Sequence, residues 1–314
     1  MPPDGRSPAR AVPRSVTLVC VATDNNEMQP PEPRVSRRSA PRPALSPREF
    51  RDTFATVRAA LAASDRITLG HFRRVKFSHK ADGSEVTIAD KGGERMLRRH
   101  LAAAWPRDPV LGEEYGGSLV RSGRCWLIDP IDGTASYVLG VPMFGTLISL
   151  LIDGEPAFGC IHLSALKETT YAARGLGCWL TRDGARARRV RVGPPRALEV
   201  AQVGLTSLKE SDLARRPGVW RIRDLARAAS RLRLVGDCVQ YALVCRGALD
   251  GAIDPLMNPW DIGPLVVCVT EAGGSVSDLN GEQSGIIERR SFVAASSDSL
   301  RREICRHVGS PRTL

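Results

Sequence analysis

The 314-residue chain predicts a mixed α/β protein, and three observations carry that prediction. The first ordered stretch reads as two amphipathic helices. The middle reads as apolar strands joined by a tight turn, and the second half alternates strand-like and helix-like runs. Hydrophobic residues make up 42% and charged residues 25% of the chain, an ordinary balance for a globular protein with one large core or two modest ones.

In chain order, residues 1–45 hold nine of the 22 prolines, several arginines and few aromatics. Such a segment cannot bury enough surface to offset its ordering entropy, so a disordered tail is expected there. Order begins at Ser46-Pro47-Arg48-Glu49, a capping box with proline at the first helical position. Phe50, Phe54, Val57 and Leu61 follow on one face. A second helix is expected over about Asp90–Ala104, with Met96, Leu97, Leu101 and Ala104 as its apolar stripe. The segment Lys80–Asp90 between them reads as a polar turn. Val110–Gly112 predicts a short strand ending at Glu113-Glu114, and Cys125–Ile128 a buried strand that stops at Pro130. Gly145–Ile152 and Ala157–Leu163 are apolar runs separated by a turn beginning Asp153-Gly154, a strong hairpin signal. A further strand falls near Glu168–Ala173. The basic, proline-containing stretch Arg182–Pro195 marks a boundary between subdomains 46–185 and 186–314. Beyond it come a helix over Asp212–Arg231, a strand at Leu232–Val235, a helix at Cys238–Arg246 and a strand at Ala248–Ile253. A helix at Trp260–Ala272, strands at Ser275–Asp278 and Phe292–Ala295, and a last helix from Ser297 complete the prediction.

The net charge of +11 is carried by arginine, with only five lysines in the chain. Arginines cluster at Arg182–Arg191 and Arg215–Arg233. No zinc finger, RNA-binding signature or aromatic-interleaved basic stripe accompanies them, so these clusters read as solvated faces and nucleic acid is not an expected partner. The eight cysteines are scattered, with no Cys-x-x-Cys pair; buried free thiols in a reducing, cytoplasmic compartment are expected. No apolar run approaches the length of a membrane span. Residues 15–22 resemble a short signal core, but the body lacks a secreted-type cysteine pattern.

The stretch that carries chemistry is Trp126-Leu-Ile-Asp129-Pro-Ile-Asp132-Gly-Thr134. Asp129 and Asp132 lie just past the end of an apolar strand, and Gly133-Thr134 opens a short helix. Carboxylates that close repel one another unless a cation lies between them. Mg²⁺ prefers such oxygen donors and keeps positions for water and phosphate. A helix N-terminus next door offers free N–H groups to a phosphate. Further carboxylates stand at element ends: Glu113 with Glu114, Asp261 at one helix start and Asp90 at another. Singly, the last two read as helix-start acids; together with the Gly-Thr turn the set points to a multi-metal phosphoryl-transfer site.

Three blocks resemble the signatures of the inositol monophosphatase family, in the same order: Gly112-Glu-Glu-Tyr115, Asp129-Pro-Ile-Asp-Gly-Thr134, and Trp260-Asp261-Ile-Gly followed by Glu271-Ala-Gly-Gly274. The resemblance covers about residues 48–308. It implies an αβαβα layered sandwich of α/β (α+β) class, dependence on two or three Mg²⁺ per active site, hydrolysis of a small-molecule phosphate ester, and pairing as a homodimer. Matched motif by motif, Glu113, Asp129, the carbonyl of Ile131, Asp132 and Asp261 would ligate metal, with Glu114 supporting them. Thr134, hydrogen-bonded to Asp90, would position the attacking water, and the backbone of Gly133-Thr134 would hold the phosphate. Two such cations about 3.5–4 Å apart can activate water and stabilise the leaving oxygen. Haloacid-dehalogenase-like phosphatases use Asp-x-Asp-Gly-Thr. Here two residues separate the aspartates, and the other acidic blocks have no role in that scheme.

Within the family, residues 129–148 and Gly236-Asp237-Cys238-x-x-Tyr241 look most like the histidinol-phosphatase branch, although Ala135 stands where lysine is common and Tyr137 where phenylalanine is. That implies L-histidinol phosphate as substrate. An inositol-1-monophosphatase, or a broad sugar, nucleotide or aminocyclitol phosphatase, remains the enzyme alternative; a metal-binding regulatory protein is the alternative without catalysis. Asp254, seven residues before Asp261, matches a position that contacts substrate hydroxyls in inositol-processing relatives. It reads equally as a turn aspartate before Pro255. Asp237 reads either as a substrate contact or as a helix cap.

Overall fold

Ser46 opens the first helix, α1 (Pro47–His71), with the expected capping box: Ser46 Oγ accepts from Glu49 N at 3.2 Å, and Glu49 Oε2 accepts from Ser46 N at 2.7 Å. The structure, a computed structural model, describes residues 43–74, 76–80, 85–206 and 221–308. The expected tail, apart from its last three residues, and the first part of the expected helix at 212–231 therefore lie outside the described residues. The described residues all fall within one compact unit.

Within the segment read as a polar turn, Glu85–Thr87 is a strand instead: this β2 pairs antiparallel with β1 (Phe77–His79), which ends just before the segment, while 81–84 lie outside the described residues. The second helix, α2 (Ile88–Ala104), starts two residues earlier than expected because Thr87 caps it. Its buried stripe is Ala89, Gly92, Gly93, Leu97 and Leu101, with Ala104 exposed and Met96 half-buried. Leu97 and Leu101 lie on the expected face, but Met96 and Ala104 do not; Gly92 and Gly93 take their place against α1, where a Cβ on Gly93 would lie 2.9 Å from Ser64 Oγ.

Seven strands form the first sheet in sequence order: β3 (Val110–Gly112), β4 (Arg124–Asp132), β5 (Gly145–Ile152), β6 (Glu155–Leu163), β7 (Glu168–Ala173), β8 (Gly177–Arg182) and β9 (Arg188–Val190). Only β3 and β4 run parallel. Asp153 and Gly154 take φ values of 53° and 79°, as the two-residue hairpin turn between β5 and β6 requires. Strands β8 and β9 were not expected; β9 falls in the basic stretch because Arg188 and Arg189 face solvent while Val190 faces the core. A short helix, α3 (Thr134–Val138), follows β4.

The second sheet holds β10 (Gln202–Leu205), β11 (Arg231–Leu234), β12 (Gly251–Asp254), β13 (Ser275–Ser277) and β14 (Phe292–Ala295), in the order β11-β10-β12-β14-β13. Between its strands run α4 (Ile222–Ala228), α5 (Asp237–Cys245) and α6 (Pro259–Glu271), and α7 (Asp298–Val308) closes the described chain.

Strand alternation sorts side chains into layers. On β4, Trp126 and Ile128 pack against Val57, Leu61, Leu97 and Leu101 of α1 and α2. Cys125 and Leu127 point the other way, toward Tyr241, Cys245, Ile262 and Leu265 of α5 and α6. Those two helices also meet Ala252, Phe292 and Ala294 on the near face of the second sheet. Ile253, Val293 and Ala295 on its far face pack on Leu225, Leu300 and Ile304 of α4 and α7. The order helix, sheet, helix, sheet, helix is the αβαβα sandwich the sequence implied.

Candidate metal and phosphate site

Pro130 does not end β4. The strand continues to Asp132, with a register shift: Asp129 pairs with Leu147 and Asp132 with Gly145. One extra residue is thus accommodated as a bulge, where a proline without an N–H is tolerated. In an even strand, residues three apart point to opposite faces. The bulge cancels that alternation and turns Asp129 and Asp132 toward the same space. Local bonds hold it: Asp129 Oδ1 accepts from Ile131 N at 2.8 Å, and Thr146 Oγ1 donates to the Pro130 carbonyl at 2.8 Å.

Asp261 joins them from the first turn of α6. Its Oδ2 accepts from Asn258 N at 2.8 Å in capping fashion, so the helix-start reading holds for one oxygen and the other remains for a ligand. One oxygen each of Asp129, Asp132 and Asp261 lies within 4.8 Å of the others. Glu113, at the end of β3, lies on the same cleft. Lys80, which sequence reasoning did not single out, reaches from the end of β1 to bridge Glu113 Oε1 at 2.8 Å and Glu114 Oε1 at 2.6 Å.

Beside the cluster, Thr134 Oγ1 lies 3.2 Å from Asp90 Oδ1 and 3.0 Å from the Ile131 carbonyl. Asp90 is fully buried; its Oδ2 accepts from Thr87 N and Thr87 Oγ1 at 2.7 and 2.5 Å, which leaves Oδ1 for Thr134. Gly133 connects bulge to helix at φ 89°, and a Cβ there would lie 2.7 Å from Asp237 Oδ2. Only glycine meets both conditions. Tyr137, the departure noted above, keeps its ring against Phe144 and donates its hydroxyl to the Thr68 carbonyl at 2.6 Å.

Asp132 also ties the two sheets' elements together, its Oδ2 accepting the Cys238 N–H of α5 at 2.5 Å. Asp237, the first residue of α5, has φ 49° and turns its carboxylate to Ser136 Oγ at 3.5 Å and the Gly133 backbone. Asp237 therefore lines the cleft. Asp254 does not: its Oδ2 accepts from Thr206 Oγ1 at 2.7 Å and its Oδ1 from Leu256 N at 3.1 Å. The cleft, about 170 Å³, is lined by Glu85, Glu113, Asp129, Ile131, Asp132, Gly133, Thr134, Ala135, Asp237, Asn258, Trp260 and Asp261. Glu85 had no motif to mark it, because its place depends on the β1–β2 pairing.

Burial and mutual repulsion set the electrostatics. Burial first, then Glu113, Asp132 and Asp261, hold the Asp129 carboxyl well above the carboxylate range. Burial and Asp261 push Asp132 up to about 8, against the Cys238 N–H, which lowers it. Burial and Glu113 raise Asp261, and burial raises Asp90. Burial likewise pushes Glu114 up to about 7, although Lys80 opposes it. Buried carboxylates that cannot all ionise together are a donor set matched to a hard divalent cation. The three carboxylates that converge, Asp129, Asp132 and Asp261, fit such an ion, and Glu113 lines the same cleft.

A model of the inositol monophosphatase family matches residues 51–311. A histidinol-phosphatase of Mycobacterium tuberculosis (strain ATCC 25618 / H37Rv) is 41% identical over 230 residues, covering 71% of this chain and 86% of the relative. A histidinol-phosphatase of Chlorobaculum parvum is 33% identical over 247 residues, covering 78% and 92%. Among solved structures, the IMPase of Thermotoga maritima matches with a TM-score of 0.70 at 27% identity, covering 82% of this chain and 96% of that one.

Proposed function

The chain belongs to the inositol monophosphatase family, and from that premise we propose that it hydrolyses L-histidinol phosphate to L-histidinol and phosphate in a Mg²⁺-dependent reaction. Its class, phosphoric monoester hydrolase, follows from the family. The observation that carries the chemistry is the convergence of Asp129, Asp132 and Asp261 within 4.8 Å, beside the Thr134–Asp90 pair.

In this reading Asp129, Asp132, Asp261, Glu113 and the Ile131 carbonyl hold two or three Mg²⁺, with Glu114 supporting them and Lys80 balancing the charge of both glutamates. Bound Mg²⁺ supplies Lewis-acid stabilisation of phosphoryl charge and makes water more acidic. The remaining work belongs to the chain. The Gly133 and Thr134 amides orient the phosphate. Thr134 Oγ1 positions the attacking water and takes its proton while passing its own to Asp90, whose Oδ2 is already held by Thr87.

The substrate assignment rests on two supports. The relatives named histidinol-phosphatases are 41% and 33% identical to the chain. The cleft also carries Glu85 and Asp237 beyond the proposed ligands, while no lysine or arginine lines it among the described residues. That surplus of negative charge favours an ester bearing an ammonium group over a neutral cyclitol. Asp237 faces the ammonium, with Asp254 behind it. A cytoplasmic homodimer is the form we propose; the seven described cysteines are free, and no described helix is long and apolar enough to cross a membrane.

The test is phosphate release from L-histidinol phosphate in Mg²⁺ and in chelator, with wild type and Asp132→Asn. Release that needs Mg²⁺ and is lost in the folded variant supports the reading. Release that survives chelator, or wild-type activity in Asp132→Asn, contradicts it.

A further inference from the structure

Glu94 and Arg98 lie one turn apart on α2, outside the cleft lining. Glu94 has no solvent exposure. A buried carboxylate is costly unless its oxygens are fully engaged, and these are. Oε1 accepts from Arg98 Nε at 2.7 Å and Tyr115 N at 3.3 Å; Oε2 accepts from Glu114 N at 2.7 Å. Arg98 completes the grip, donating Nη1 to the Val110 carbonyl at 3.2 Å and Nη2 to the Gly116 carbonyl at 2.5 Å. Every one of these bonds beyond the pair itself falls on the backbone of Val110–Gly116, the segment that carries Glu113. Gly112 lacks a side chain for the same reason: a Cβ there would lie 2.1 Å from Glu94 Oε1.

We propose that the Glu94–Arg98 pair is the positioning device for the Glu113 end of the metal site, fixing the turn after β3 so that this carboxylate faces Asp129 and Asp261. The turn needs such a device. It ends in Gly116 and Gly117, both at positive φ, and Lys80 pulls Glu113 and Glu114 toward β1. Charge-assisted bonds from one buried carboxylate to two consecutive backbone N–H groups hold it against that pull. The inference rests on the metal reading proposed above.

Glu94→Gln keeps the volume but turns an amide N–H₂ toward groups that donate. Arg98→Gln removes the guanidinium from a partly exposed position. Isothermal titration of Mg²⁺ into the full chain, with thermal unfolding in chelator, tests both variants. The expected result is Mg²⁺ binding weakened about tenfold, the scale on which partners behind metal ligands act. The Mg²⁺ concentration for half-maximal phosphate release rises by the same factor, while KM at saturating Mg²⁺ stays unchanged. Folded variants that bind Mg²⁺ as wild type does, with only a lowered Tm, overturn the proposal. Should Glu94→Gln fail to fold, Arg98→Gln decides by the same criteria. A wild-type chain that does not bind Mg²⁺ fails the metal reading itself, and the inference falls with it.

Discussion

Thr134 connects the two halves of the proposed chemistry, since its one hydroxyl lies within reach of both Asp90 and the Ile131 carbonyl. Removing it leaves the carboxylate cluster untouched and takes away the group that handles the water. Thr134→Ala is expected to lower kcat by about 10²–10⁴-fold, the usual worth of a positioned acid–base group, while Mg²⁺ affinity by calorimetry changes little; Thr134→Ser retains most of the rate. Equal kcat in Thr134→Ala and wild type would remove the residue from the mechanism. The acids of this site were legible in the sequence because their types and spacing carry chemistry. Lys80, Glu85 and Glu94 were not, since a lone charged residue becomes informative only once a hairpin or a helix face delivers it to a particular carboxylate or backbone N–H.

Among the elements, the bulge in β4 does most to assemble the site, because it alone converts a spacing of three into a shared direction for Asp129 and Asp132. Sequence reasoning expected Pro130 to end that strand. Proline does end an even ladder, but a bulge removes the need for its missing N–H. Apolar runs bounded by turn residues, such as Gly145–Ile152 and Phe292–Ala295, were legible to the residue. The buried face of α2 was legible at Leu97 and Leu101 but not at Gly92 and Gly93, which carry an α1 contact that periodicity assigns to larger side chains. The capping box of α1 provides a control on stability alone. Ser46→Ala is expected to cost about 1 kcal/mol, seen as a lower urea midpoint, with kcat/KM unchanged because the cap lies about six turns from Thr68, the α1 residue that takes the Tyr137 hydroxyl. A fall in kcat/KM would mean that α1 sets the site more directly than its packing indicates.

At the scale of the whole molecule, the layered sandwich buries a concentration of negative charge that the metal-free fold tolerates poorly. Asp132 is raised from 3.8 to about 8 and Glu114 from 4.5 to about 7. Groups whose folded pKa lies above the unfolded one hold protons that unfolding releases, so their contribution is complete below about pH 4 and is lost as pH rises through about 8. In chelator, Tm is therefore expected to fall between about pH 5 and pH 8, and Mg²⁺ to raise it more at the upper end of that range than at the lower. A Mg²⁺ shift that is the same at both ends would contradict the coupling of ion and carboxylates. The αβαβα order was legible through the family resemblance rather than through periodicity, which places strands and helices but says little about which sheet each joins.

The most direct test of the account is kcat/KM, in Mg²⁺, on L-histidinol phosphate and inositol 1-phosphate in parallel. The account predicts a preference of at least about tenfold for histidinol phosphate, or about 1.4 kcal/mol of transition-state discrimination. An equal or greater kcat/KM on inositol 1-phosphate would contradict it.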